Sequence, residues 1–238
     1  MADIYLKWYS YNELKWANAV NLKSGVTKKV GQFVDIDGAT TNEINGTWVW
    51  IPKFEYKIEG NYGKGGTSTS SPGEIEVNFI SKSTTTPTDG YHVHPAFTFG
   101  DSNVSGVWIG KFETSHTTLS GSSSSNNLGC SNTNCTNADG LRVVPNVKAI
   151  KHNNVSNFFY ASRSMNRSGN PFGFDQSKVD SHMVKNSEWG APAYLSQSKY
   201  GKYGNTNYSG ANKEIYINNS NAAVTGRSAG QPGTSSGS

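Results

Sequence analysis

Apolar and polar positions alternate most regularly over residues 47–59, TWVWIPKFEYKIE. Phe54, Tyr56 and Ile58 fall on one side, and Lys53, Glu55, Lys57 and Glu59 on the other. That is the period-two pattern of a strand with one face buried and one in water. Pro52 removes a ladder donor and predicts an edge or a bulge. Residues 74–80, EIEVNFI, repeat the pattern, with Ile75, Val77 and Phe79 inward and Glu74, Glu76 and Asn78 outward. A Thr-rich turn then leads to YHVHPAFTFG at 91–100 and GVWIGKFETS at 106–115. The latter is apolar enough to predict a central strand. KEIYINN at 213–219 predicts one more. In residues 1–25, Leu14, Trp16, Ala19 and Val20 fit one side of a short helix or two strand fragments equally well.

Two segments change to a helical period. Val155, Phe158, Phe159 and Ser162 recur at three-to-four spacing after Asn154, which predicts a helix from about Asn154 to Met165 capped by that asparagine. A second helix is expected to begin near Asn186 and to carry Trp189, Ala193 and Tyr194. Pro192 is expected to kink or shorten it. Between these elements lie long polar stretches: 60–73, 116–140 and the Gly/Ser-rich end. A loop as long as 116–140 is normally functional or disordered. It holds Cys130 and Cys135, which the spacing leaves open as a loop-pinning disulfide or two free thiols. The expected organisation is a partly packed extension over 1–47, one domain over 48–225 and a linker-like tail over 226–238.

Composition narrows the class. The chain of 238 residues is only 16% charged, and 31 Ser, 26 Asn and 19 Thr fill the gap with neutral polar groups. It carries no run of about 18 apolar residues, so no transmembrane helix is expected. The net charge of +4 comes from scattered Lys and Arg, so nucleic acid is not an expected partner. The start, MADIYLKWYS, lacks a basic n-region and an apolar core, so it does not read as a signal peptide. Twenty-eight aromatics on this neutral background suit an extracellular, cell-surface or virion protein, and a phage structural protein needs no leader.

Candidate chemistry is sparse. His92 and His94 share one side of a strand, a spacing that suits a metal pair, with Asp101, Glu113 or His116 as a third ligand. No diagnostic motif accompanies them, and two packed or surface imidazoles is the plainer reading. No metal or cofactor is therefore expected. There is no G-x-S-x-G, Walker loop or dinucleotide fingerprint. Glu74 and Glu76 read as a solvated strand face. The stretch 198–212, SKYGKYGNTNYSGAN, is richer: Tyr200, Tyr203, Asn205, Asn207, Tyr208 and Asn212 are spaced by Gly and Ser. Binding loops use this mix, with tyrosine for rigid contact and amides for adaptable hydrogen bonds, and aromatics with amides also suit sugars. A plain turn region shares the composition. Seven N-x-S/T triplets occur, and in a chain this rich in Asn, Ser and Thr such triplets arise by chance.

The order of these motifs resembles the formylglycine-generating-enzyme/sulfatase-modifying-factor-like family, whose fold is a variant of the C-type lectin fold. VWIPKFEYKI (49–58) is similar to the family's opening strand, and GVWIGKFETS (106–115) to its Ile-x-Lys-aromatic-Glu segment. NVSNFFYASRSM (154–165) stands in place of the first helix, and MVKNSEWGAPAYLS (183–196) resembles the helix with a Glu-Trp pair, here Glu188 and Trp189. The resemblance spans 48–225 and extends to uncharacterised proteins of this type from Gram-positive gut bacteria and their phages. The family's Gly- and Trp-rich closing stretch, which holds the catalytic cysteine pair, has no counterpart here. Cys130 and Cys135 match no catalytic motif. The expectation is thus an α+β, C-type-lectin-like domain of twisted antiparallel strands, two short helices and long polar loops. It is expected to be non-enzymatic and to bind a glycan or surface protein through the 116–140 and 198–212 loops. The alternative is a structural subunit of an extracellular filament or phage particle, which self-associates by completing its sheet with a neighbouring strand.

Overall fold

The fold is seen in a computed structural model, which describes residues 9–29, 31–41, 43–58, 75–119, 128–132, 134–151, 153–196 and 198–201. Ten short strands run in chain order: β1 (Asn18–Leu22), β2 (Ile44–Pro52), β3 (Phe54–Ile58), β4 (Ile75–Phe79), β5 (His92–Val93), β6 (Thr98–Phe99), β7 (Ser102–Asn103), β8 (Gly106–Gly110), β9 (Ser115–His116) and β10 (Leu141–Arg142). Two helices follow, α1 (Val155–Ser164) and α2 (Asn186–Ser196). All strand pairs are antiparallel and form sheets of order β1-β2-β8, β4-β3-β5, β10-β9 and β6-β7. The class is α+β, as expected. The expected strand at 213–219 and the 226–238 tail lie outside the described residues.

The alternating segment 47–59 serves two sheets. β2 ends at Pro52 opposite Gly106, and β3 starts at Phe54 in another sheet. The irregularity expected at Pro52 is therefore a change of sheet. Lys53 makes the join. Its N–H donates to Ser105 O (2.8 Å), extending the β2–β8 ladder, and its carbonyl accepts from Ile80 N (3.0 Å), extending β3–β4.

The face expected to be solvated is buried here. Lys53 is 0% and Glu55 2% exposed, whereas Ile58 on the expected inner face is 42% exposed. The reason is the turn-rich segment after β4, which covers that face and supplies polar partners. Lys53 Nζ donates to Lys82 O (3.1 Å), Thr84 O (2.8 Å) and Asn103 Oδ1 (3.2 Å). Glu55 accepts from Thr88 N (2.8 Å), Thr88 Oγ1 (2.6 Å) and Asn78 Nδ2 (3.3 Å). A buried charge is tolerable only when bonded in this way.

Two apolar cores flank β2. Val49 and Ile51 face the first, with Trp16, Phe54, Ile75, Val77, Phe97, Ala191 and Leu195. Trp48 faces the second, with Leu141, Val143, Ile150, Ala161, Met165 and Phe172. Among the described residues β8 pairs in its sheet with β2, which is the middle strand of that sheet. Beyond Gly110, Val143 takes over the ladder in a parallel bridge, donating to Asn45 O (2.9 Å) and accepting from Thr47 N (2.8 Å). The segment ambiguous in sequence resolves as a 3₁₀ turn at Tyr11–Glu13 followed by β1, with Trp16 and Ala17 buried.

Both helices lie where expected. Asn154 caps α1 through Asn157 N (2.8 Å). The inner face differs from the expected one. Asn157 and Ala161 are buried, while Val155 is 70% exposed, because two apolar periods overlap in VSNFFYA and packing selects one. α2 continues through Pro192 to Ser196. Only the bond from residue 192 to Glu188 O is forfeited, and buried Ala191 and Leu195 hold the helix on the first core.

Replacing Lys53 with Ala would orphan three acceptors and leave a cavity. A loss of about 3 kcal/mol in urea denaturation is expected. Lys53→Met keeps the stem's packing and should lose less.

Candidate functional site

On the outer side of the β1-β2-β8 sheet, the side that carries Trp48 into the second core, the strands also present Trp50 and Trp108. The two tryptophans are direct cross-strand partners, with ring centroids 5.2 Å apart and planes inclined by 57°. Trp50 N donates to Ala17 O (2.9 Å), so the row runs across all three strands. Tyr9, Ala17, Trp50 and Trp108 line an open cleft of about 240 Å³. Trp108 is 46% and Tyr9 37% exposed.

Glycines set the tryptophan positions. A Cβ on Gly106 would lie 2.5 Å from Cζ2 of Trp50, so the indole packs directly on glycine backbone. Gly46 does the same for Trp48, where a Cβ would lie 2.8 Å from the indole nitrogen. Trp48 is further held by donating to Asn21 Oδ1 and by the rings of Phe172 and Phe174. Sequence reasoning missed the cleft. Its trace is the pair WVW and GVWIG, which read as a half-buried and a central strand whose pairing was not visible.

The residues singled out in sequence fare differently. Tyr200 is a core residue, 9% exposed, with its ring 4.6 Å from that of Phe79. It is therefore not a surface contact. Its neighbour Ser198 is also buried, and the turn at 198–201 closes against the end of α2 through Ser198 N to Leu195 O (3.1 Å). Tyr203, Asn205, Asn207, Tyr208 and Asn212 lie outside the described residues. Of the 116–140 loop, 120–127 and 133 lie outside them too. Cys130 and Cys135 are joined in a disulfide. Their loop enters the second core through Leu128, Cys130 and Ala138, and is tied to α1 by Leu128 N to Asn153 Oδ1 (2.9 Å) and Cys130 N to Asn157 Oδ1 (3.2 Å).

His92 and His94 do share a side, both within 6 Å of the Tyr56 ring, but their surroundings differ. His92 is exposed and His94 is 3% exposed among Phe54, Tyr56, Phe97 and Tyr194. His94 Nδ1 accepts from Ala96 N (3.2 Å), capping the short turn Pro95–Phe97. Burial pushes its pKa down to about 4. Among the described residues no group of three or more His, Cys, Asp or Glu is placed to hold a metal ion.

A second polar cluster sits at the start of α2. Glu188 accepts from Lys185 N (2.8 Å), the reciprocal half of a capping box, and pairs with His182 Nε2 (2.8 Å). Asp180 flanks His182 on the Nδ1 side at 3.0 Å, and Lys185 Nζ lies 4.3 Å over the Phe99 ring. Val184 and Trp189, both exposed, stand at the sequence positions of a hydrophobic staple around the cap. Glu188 and Trp189 are thus helix-start residues.

No family model matches the chain, and no curated protein or solved structure is similar to it. Among the described residues no helix is long and apolar enough to cross a membrane.

His94 generates a pH prediction. Its folded pKa is about 4 and its ordinary value about 6.5. Below pH 6.5 the unfolded chain takes up a proton that the folded chain refuses, so stability falls as pH drops from about 6.5 to 4. The loss is about 3 kcal/mol in full. His94→Asn keeps a capping acceptor without titrating there, and denaturation midpoints across that range should flatten in the variant.

Proposed function

We propose that the chain is a non-enzymatic recognition module that acts outside the cell, on a surface or a virion, and binds a glycan or protein ligand. The observation that carries this reading is the open aromatic cleft of Tyr9, Trp50 and Trp108, whose tryptophans are held in place by strand pairing and a glycine floor. An exposed tryptophan such as Trp108, packed beside the half-buried Trp50, buries much area for little ordering entropy, which makes it an effective anchor in a recognition surface. The buried titratable groups support a non-catalytic role, since each is engaged in the fold: Lys53 and Glu55 at the sheet junction, Glu188 in its cap and His94 in its turn. The disulfide supports an oxidising location.

The finer reading is a C-type-lectin-like domain. It is supported by the order of elements: 49–58 forms β2 and β3, 106–115 begins with β8, and the two helices follow with Glu188 and Trp189 at the start of the second. The 198–212 stretch would extend the binding surface beyond the cleft.

Retention of the labelled chain on immobilised Gram-positive cell-wall sacculi tests the proposal. Saturable retention that falls at least tenfold in the Trp50→Ala/Trp108→Ala variant is expected. Retention no greater than on bare resin, or sedimentation as a large defined particle, counts against it and favours an assembly subunit.

A further inference from the structure

We infer that the Tyr9–Trp50–Trp108 cleft is a subsite for one uncharged pyranose ring of a glycan. The inference rests on the recognition reading and names its ligand class.

Three features of the cleft select this chemistry. The first is the lining. Tyr9, Ala17, Trp50 and Trp108 bring no charged side chain. An anionic ligand such as a phosphate or carboxylated sugar would lose water there and gain no ionic partner among the described lining residues. The second is the pairing of apolar faces with polar tips. Two indoles and a phenol offer broad rings bordered by an N–H or O–H donor. A pyranose has the matching form, with a C–H face to lie on a ring and hydroxyls around its rim for donors and water. The third is size and rigidity. About 240 Å³ falls short of the volume that drug-sized ligands occupy, so the cleft takes one ring while the rest of the glycan continues into solvent. Trp50 cannot sink toward the sheet because Gly106 backbone lies beneath it, and Trp108 stands opposite it at 5.2 Å. The two indoles are packed at a 57° inclination before any ligand arrives, so binding pays little to order them. A peptide side chain would also stack on the rings, but its backbone amides would meet no complementary row of donors and acceptors in this lining.

The test is a tryptophan-fluorescence titration of the whole chain with cellotriose, chitotriose and galactobiose as neutral probes. Sialyllactose serves as the acidic probe and tetramethylammonium chloride as the cationic one. At least one neutral saccharide is expected to give a saturable change. Trp108→Ala should weaken it at least tenfold, Trp108→Phe should retain most of it, and Trp189→Ala, which alters an exposed tryptophan elsewhere, should leave it unchanged. Gly106→Ala should weaken it too by displacing Trp50, with near-ultraviolet circular dichroism showing that the fold persists. The inference is overturned if no neutral saccharide saturates, if Trp108→Ala binds as tightly as the parent, or if tetramethylammonium or sialyllactose is the only probe bound. Sacculus retention separates the two readings. Retention that depends on Trp108 without saccharide binding removes the pyranose assignment and leaves recognition standing, whereas absence of both removes both.

Discussion

Between Pro52 and Phe54 the chain leaves one sheet and enters another, and Lys53 satisfies both. Its N–H closes the β2–β8 ladder and its carbonyl closes β3–β4, while its ammonium draws in the carbonyls of Lys82 and Thr84 and the amide of Asn103. A residue at a sheet corner normally leaves backbone groups facing nothing, and burying those costs as much as losing a hydrogen bond. Here the corner is fully bonded and wholly buried. Desolvation pulls the lysine pKa below its ordinary value, so the buried charge opposes folding, and the three acceptors offset that cost. With the corner in place, β2 can serve the first core with Val49 and Ile51 and the second with Trp48.

The same corner decides where the aromatic rings go. In the β2–β8 register, Pro52 faces Gly106 and Trp50 faces Trp108. A slip of β2 by one residue would turn Trp50 to the other side of the sheet, away from Trp108, and withdraw Val49 and Ile51 from the first core. The apolar requirement of that core thus sets the register that presents the cleft. Gly106 contributes twice, as the partner of the corner proline and as the floor beneath the Trp50 indole.

Much of this was legible in the chain, and the limits have physical causes. The period-two runs at 54–58 and 75–79 emerge as strands, because alternation is a local property. Asn154 was readable as a cap for the same reason: its bond to Asn157 N spans three residues. What was not legible depends on pairs distant in sequence. Lys53 and Glu55 read as solvated because alternation says which residues share a face but not what lies over that face. The covering segment comes about 30 residues later. Tyr200 read as a surface contact because Gly and Ser surround it, yet Phe79, on a strand far earlier, receives its ring. Trp50 and Trp108 were not singled out because both stand in apolar runs that read only as strands. Only the pairing of β2 with β8, and the absence of a covering element over that end of the sheet among the described residues, separates them from Trp48.

These polar arrangements also bear on the proposal that the chain acts by recognition. An acid–base catalyst needs a titratable group that can change its proton near the reacting atoms. Among the described residues, the buried Glu55, His94 and Glu188 are each engaged in holding the fold. Protonating Glu55 would give up the hydrogen bonds from Thr88 and Asn78, and those bonds hold its pKa low against desolvation. Charging His94 would place a cation among four rings and remove the acceptor that caps Pro95–Phe97. Glu188 holds the first turn of α2. Removing any of them from these roles loosens a junction, a turn or a helix start. At the outer rim of the open aromatic cleft, Trp108 and Tyr9 meet water. Contacts by apolar faces and donor tips, as proposed for the cleft, ask none of these described groups to leave its role.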